Sequence, residues 1–262
     1  MLAAGRRSLS KNSSLTPFAI LVSMKDKITV ITGASEGLGK AVALKLAAEG
    51  SKVALVAHNE DKLSEVAQTI GENAHTYSCD VSSAEQVRQT AQQILEDLGH
   101  VDILINNAGI WTDEELEKDN PDRRRKAFEV NTLGTIEFVK AFESSFRAQN
   151  SGHILNVIST SGTNDTSSGD NSLWQSYGAT KWALAGFTRA LKDSLDGTKI
   201  KVTGFYPGGF DSNLYENANR PDSHGQPWMM QTEDVADALI FCLTRPADML
   251  VEKLVVTKIS SE

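Results

Sequence analysis

Residues 27–49 read KITVITGASEGLGKAVALKLAAE, and the order of events in this stretch decides the fold. A β-branched run, Ile28–Ile31, leads into Thr32-Gly33-Ala34-Ser35-Glu36-Gly37-Leu38-Gly39, and an amphipathic pattern over Gly37–Glu49 follows at once. Glycines let the backbone turn sharply and approach a pyrophosphate, whose charge then meets a helix N-terminus. A Gly-rich turn between strand and helix is commonplace. Its place in the first strand–helix–strand unit makes this one a candidate nucleotide cradle.

The same alternation continues outward from that stretch. Further candidate strands are Val53–Ala57, His75–Cys79, Ile103–Asn106, His153–Ile158, Lys201–Phe205 and Lys253–Thr257. Helical patterns lie between them, among them Ser83–Leu98, Asp122–Ala148 and Gln175–Leu195. Ser83 and Gln86 stand at capping-box spacing. Strands alternating with helices imply a parallel sheet covered on both faces. The expected fold is α/β: a single-domain, Rossmann-type, doubly wound parallel sheet of about seven strands. Such sheets bind ligands beyond the carboxyl ends of their strands, so functional residues belong just after each strand.

Composition narrows the function. Lys and Arg total 26 against 34 Asp and Glu, a formal charge of −8, which disfavours generic nucleic-acid binding. Two cysteines, Cys79 and Cys242, are too few for a disulfide framework or a zinc site, and no metal is expected. No apolar run approaches the roughly 20 residues of a membrane helix. Residues 1–25 hold Arg6, Arg7, Lys11 and Lys25 with no acid and are Ser-rich. They read either as an organelle presequence or as a plain tail. The division expected is an extension over 1–24 and one domain over 25–262. The location expected is cytoplasmic, or mitochondrial or another organelle if 1–24 is a presequence.

Each strand end carries a candidate ligand group. After the second strand comes Ala57-His58-Asn59, with no carboxylate to take the ribose hydroxyls. That site tolerates a 2′-phosphate, which His58 or Asn59 could hydrogen-bond, while Glu36 argues the other way by repulsion. NADP is therefore expected ahead of NAD. After the third strand, Asp80 could accept the adenine amino group or cap the next helix. After the fourth come Asn106-Asn107-Ala108-Gly109, small and polar. After the fifth comes Ser159, then a polar loop, then Tyr177-Gly178-Ala179-Thr180-Lys181. Positions i and i+4 share a helix face, and a fixed cation lowers a phenol's pKa from its ordinary value of about 10. The pair can thus work as a general acid or base.

In one order along the chain, the glycine turn, Asn106-Asn107-Ala108-Gly109, Asn131, Ser159, Tyr177, Lys181 and Pro207-Gly208 resemble the short-chain dehydrogenase/reductase family, from about Lys25 to the C-terminus. The resemblance implies hydride transfer between nicotinamide and a small carbonyl or alcohol substrate. Tyr177 would exchange the proton, Lys181 lower its pKa and hold the nicotinamide ribose, Ser159 bind the reacting oxygen, and Asn131 complete a proton relay. Gly33, Gly37 and Gly39, with Ser35, Glu36 and Leu38 between them, would cradle the pyrophosphate. Asp80, Val81 and Asn107, followed by Ala108 and Gly109, would frame the adenosine side. Pro207 and Gly208 would pack near the nicotinamide, with Ser212 where the family usually has threonine.

Two departures bear on the substrate end. Ile158 precedes Ser159 where the family often has a second serine, and Ser161 is close enough to compete as the reacting serine. The loop Thr160–Leu173 is longer than usual. Beyond Pro207-Gly208, the side chains Phe210, Leu214, Tyr215, Trp228 and Met229 either line an apolar pocket or pack the loop onto the body. Trp111 and Trp174 are further rim candidates. An apolar wall suits a ketone, an aldehyde or a 3-oxoacyl chain. A homodimer or homotetramer is implied by resemblance, through Asp122–Ala148 and Gln175–Leu195. A silent dinucleotide-binding scaffold, or an epimerase or dehydratase of the related extended family, are the competing functions. The run Arg123-Arg124-Arg125-Lys126 reads as a solvated helix face.

Overall fold

A computed structural model of the chain describes residues 21–112, 120–164, 175–218 and 224–259. The strands are β1 (Ile28–Thr32), β2 (Lys52–Ala57), β3 (Ala74–Ser78), β4 (Ile103–Asn106), β5 (Gly152–Val157), β6 (Ile200–Pro207) and β7 (Lys253–Val256). They form one sheet in the order β3-β2-β1-β4-β5-β6-β7, and every pairing is parallel. The chain order reverses between β1 and β4, which opens a crevice at their carboxyl ends. All five residues of β1 are buried, as a strand sandwiched between two helical layers requires.

The helices are α1 (Gly37–Ala48), α2 (Glu60–Ile70), α3 (Ala84–Leu98), α4 (Pro121–Phe128), α5 (Thr135–Gln149), α6 (Gln175–Ser194) and α7 (Thr232–Leu243). Leu38, Val42 and Leu46 of α1, with Val235 and Leu239 of α7, fill one face together with Leu55 and Phe205. On the other face, Phe138, Phe142 and Phe146 of α5 pack with Val87 and Ile94 of α3 against Val30 and Leu104. Phe138 and Phe142 stack with ring centroids 6.3 Å apart. Burying each such ring contributes about 2–3 kcal/mol, so the two helical layers clamp the sheet that holds the crevice in shape.

Two expectations need correction. The pattern over Asp122–Ala148 is not one helix: α4 gives way to a π-helical turn, Glu129–Gly134, before α5 begins. The wider turn brings the Asn131 amide onto the backbone of Ile110. It also brings Gly134 so close to the loop after β3 that a Cβ there would lie 2.6 Å from Val81 O. The capping box at Ser83 is half formed. Gln86 N donates to Ser83 Oγ at 3.4 Å, while Gln86 Oε1 accepts from Asp80 N at 2.9 Å. The residues just before Lys25 touch the body. Met24 is buried in the core, and Val22 N donates to Thr244 O at 3.0 Å. The presequence reading rests on residues that lie almost wholly outside those described. Among the described residues no helix is long and apolar enough to cross a membrane.

Candidate active site

A cavity of about 380 Å³ opens at the carboxyl ends of the strands, within the size range of small-molecule sites. Its dinucleotide end is built from the glycine turn. Gly33 and Gly37 have φ of +66° and +53°, a region that L side chains rarely adopt. A Cβ at Gly33 would stand 2.9 Å from both Ala108 Cα and Asn107 Nδ2, so β1 and the loop after β4 approach as closely as glycine allows. Asn107 locks that approach, its Nδ2 donating to Thr32 O at 2.9 Å and Gly33 O at 3.2 Å. Gly39 is a packing glycine. It does not line the cavity, and a Cβ there would overlap Gly33 O. The first turn of α1 has no side-chain cap, which leaves its N–H groups directed at the cavity mouth.

Most of the expected nucleotide ligands converge on this cavity: Gly33, Ser35, Glu36, Gly37, Leu38, His58, Asp80, Val81, Asn107, Ala108, Gly109, Pro207, Gly208 and Ser212. Asn59 does not. Its Oδ1 accepts from Lys62 N at 2.9 Å, so it caps α2 and is not free for a phosphate. Asp80 lines the cavity and caps no helix, since the cap of α3 is Ser83. The Asp80 carboxylate accepts from Ser82 N at 3.0 Å, Ser82 Oγ at 2.7 Å and Lys126 Nζ at 2.9 Å. Burial raises its pKa, but these donors outweigh burial and hold the group at about 2. Lys126 lines the cavity too; hidden inside a run of four bases, it looked like plain solvated surface.

The catalytic end gathers residues from β5 and α6. Tyr177 and Lys181 are buried on one face of α6 and both line the cavity, with Lys181 Nζ 5.5 Å from the Tyr177 ring centroid. Tyr177 hydrogen-bonds Ser159. Ser159 Oγ accepts from Ser161 N at 3.1 Å, and its own proton serves the Tyr177 oxygen, a bond that favours the phenolate. Ser161 Oγ is buried, has no hydrogen-bond partner among the described residues and is not part of the cavity wall. The geometry therefore favours Ser159 over Ser161.

The electrostatics differ from the expectation that Lys181 lowers the Tyr177 pKa. Burial dominates and pushes the phenol well above its ordinary value, Tyr215 adds to the rise, and the Ser159 hydrogen bond opposes it. Burial also pulls Lys181 down to about 8. Its ammonium donates to Val157 O at 3.1 Å and not to the phenol. Asn131 is fully buried and lies outside the cavity wall. Its Oδ1 accepts from Ile110 N at 2.8 Å, and its Nδ2 donates to Ile110 O at 2.9 Å and Thr180 Oγ1 at 3.1 Å. The side chain staples the loop after β4 to α6.

The substrate end is aromatic. Trp111, Phe210, Leu214 and Tyr215 line it, and Trp111 meets Tyr215 edge-on at 4.8 Å. Trp228 and Met229 pack the loop instead. Trp228 lies edge-on to Tyr215 at 5.7 Å and against Gly209, and Met229 is buried away from the cavity. Trp174 and most of the long loop lie outside the described residues. Ser212 Oγ is buried in the wall with no hydrogen-bond partner among the described residues. That orphaned hydroxyl, the two positive-φ glycines and the uncapped helix end all fit a dinucleotide. Among the described residues no cluster of His, Cys, Asp or Glu is placed to hold a metal ion.

A sequence model of the short chain dehydrogenase family matches residues 27–223. The chain belongs to the short-chain dehydrogenase/reductase family. It is 32% identical over 236 residues to an uncharacterized oxidoreductase of Staphylococcus epidermidis, covering 90% of this chain and 99% of that one. An uncharacterized oxidoreductase of Staphylococcus aureus is 32% identical over 234 residues, or 89% of this chain and 97% of the relative. Among solved structures, an alcohol dehydrogenase from the archaeon Thermococcus sibiricus, complexed with 5-hydroxy-NADP, superposes with a TM-score of 0.81 at 28% identity. That match covers 91% of this chain and 99% of the other. A short-chain dehydrogenase/reductase from Burkholderia phymatum, in complex with NAD, gives 0.76 at 26% identity over 85% and 87% of the two chains. This family member is thus an oxidoreductase with a nucleotide-binding Rossmann sheet, and its relatives' complexes support a nicotinamide dinucleotide cofactor.

Proposed function

We propose that this short-chain dehydrogenase/reductase interconverts a carbonyl and an alcohol, with Tyr177 as the general acid and base. The observation that carries the reading is the convergence of Tyr177, Ser159 and Lys181 on the cavity that the glycine turn also lines. A bound nicotinamide dinucleotide would supply or accept the hydride. In the reducing direction Tyr177 donates its phenolic proton to the substrate oxygen. Ser159, its Oγ fixed by Ser161 N, turns its proton towards the same oxygen and orients the carbonyl. Lys181 holds a positive charge near the phenol and stabilises the phenolate as it forms. Asn131 and Thr180 keep α6 and the loop after β4 in register, a positional part in place of a direct proton relay.

NADP is the proposed cofactor ahead of NAD. No carboxylate stands at the end of β2, where His58 lines the cavity, and the Glu36 charge is committed to Lys62, Asn213 and Asn217. Gly33, Gly37 and the first turn of α1 would hold the pyrophosphate, and Ser212 the carboxamide end. The aromatic wall of Trp111 and Tyr215 suits a ketone, an aldehyde or a 3-oxoacyl chain. Exposed Leu133 and Trp182, on the π turn and on α6, support a homodimer or homotetramer. A screen of NADPH and NADH oxidation over ketones, aldehydes and acyl thioesters tests the reading. Turnover with one such class is the expected result, and no oxidation above background with any carbonyl would overturn it.

A further inference from the structure

Glu36 stands at the N-cap position of α1, yet its side chain caps nothing. Its carboxylate instead accepts from three donors on two other parts of the fold: Lys62 Nζ of α2 at 2.5 Å, Asn217 Nδ2 at 2.6 Å and Asn213 Nδ2 at 3.3 Å. Burial opposes the charge, but these donors outweigh it and hold the pKa below the ordinary glutamate range. Asn213 and Asn217 belong to the segment that follows β6, one turn apart, and Asn217 N donates to Asn213 O at 2.8 Å. Leu214 and Tyr215 stand between them and line the substrate end of the cavity.

We propose that Glu36 is a clasp, a positioning residue that ties the segment Asp211–Ala218 to the glycine turn and to α2, and so holds Tyr215 against Trp111 over the substrate. The assignment of that end of the cavity to substrate rests on the function proposed above. The clasp has a simple mechanical basis. At its start the segment is held by the pairing of Asp211 N with Met230 O at 3.0 Å. Beyond Asp211, Glu216 reaches His224 at 3.5 Å and Tyr215 packs on Trp111 and Trp228, while the asparagine pair ties the segment by hydrogen bonds to Glu36 on the dinucleotide side. Hydrogen bonds to an ionised acceptor are about twice as strong as neutral ones, and here one carboxylate receives three. Removing it loosens the segment that carries Leu214 and Tyr215, leaving Tyr215 its ring contacts with Trp111 and Trp228.

The test uses the full chain in two variants, Glu36→Ala and the double change Asn213→Ala with Asn217→Ala, with Glu36→Gln as the conservative control. Hydrogen–deuterium exchange of the peptide spanning 211–218, measured on protein alone, should accelerate about tenfold in the first two and less in the third. In turnover assays the KM for the carbonyl should rise about tenfold in both, with kcat of the asparagine variant changing less than twofold. The asparagine variant should keep the wild-type Kd for the dinucleotide, because it removes no charge from the glycine turn. Unchanged exchange in both variants overturns the clasp whether or not any carbonyl is turned over. Faster exchange with an unchanged KM overturns its bearing on substrate. A rise in dinucleotide Kd in Glu36→Ala, with the asparagine variant wild-type in every readout, would show that Glu36 serves the cofactor alone.

Discussion

Lys181 Nζ lies 5.5 Å from the Tyr177 ring centroid, yet donates its hydrogen bond to Val157 O at 3.1 Å. The proposed stabilisation of a phenolate by Lys181 would therefore act through space, and burial lowers the pKa of Lys181 itself to about 8. The phenol, raised by burial, keeps its proton throughout the ordinary pH range. For reduction, Tyr177 is thus already in its acid form, and the titrating partner is Lys181. We expect kcat/KM for carbonyl reduction to fall as pH rises past about 8. Lys181→Arg, whose charge does not titrate, should move that limb to higher pH at reduced activity. A flat profile up to strongly alkaline pH would contradict the assignment.

Cofactor choice turns on the end of β2. His58 is exposed there and lines the cavity. His58→Asp places a carboxylate where it accepts ribose hydroxyls and repels a 2′-phosphate. The ratio of kcat/KM for NADPH over NADH should fall about tenfold or more, the effect of about 1.4 kcal/mol. Steady-state assays with both cofactors check this, and an unchanged ratio removes His58 from the account.

Much of this arrangement was legible in the sequence, for physical reasons that differ by element. Parallel strands buried on both faces leave continuous β-branched runs, so β1, β2 and β4 could be placed within about a residue. Tyr177 and Lys181 share a face because i and i+4 always do in a helix. The π turn at Asn131 was not legible, since one extra residue rotates a helical pattern by only about 100°, within the width of an apolar stripe. Neither was the Glu36 clasp, whose asparagines lie 177 and 181 residues away. Nor could local sequence show that Lys126, one of four adjacent bases, is the one that reaches Asp80.

His153 on β5 offers a test of the core, independent of catalysis. It is buried, with Nε2 2.8 Å from Thr203 Oγ1. Burial, aided by the charge of Lys201, lowers its pKa to about 3. In the unfolded chain histidine titrates near 6.5, so below that pH the unfolded state binds a proton that the folded state refuses. Stability is therefore complete above about pH 6.5 and is lost as pH falls from there towards 3, by up to about 5 kcal/mol at the acid end. His153→Gln should flatten this part of the curve. Equal slopes for the two proteins in urea denaturation between pH 6.5 and 4 would contradict it.

The central claim is that Tyr177 transfers the proton in a hydride-transfer reaction, and its most direct measurement is turnover by Tyr177→Phe beside dinucleotide binding to the same protein. With a carbonyl that the wild-type enzyme reduces, kcat should drop by about 10²–10⁴-fold, the usual worth of a general acid. The Kd for NADPH, followed by fluorescence titration, should stay within about threefold of wild type, under 1 kcal/mol. Wild-type turnover in Tyr177→Phe would contradict the account outright.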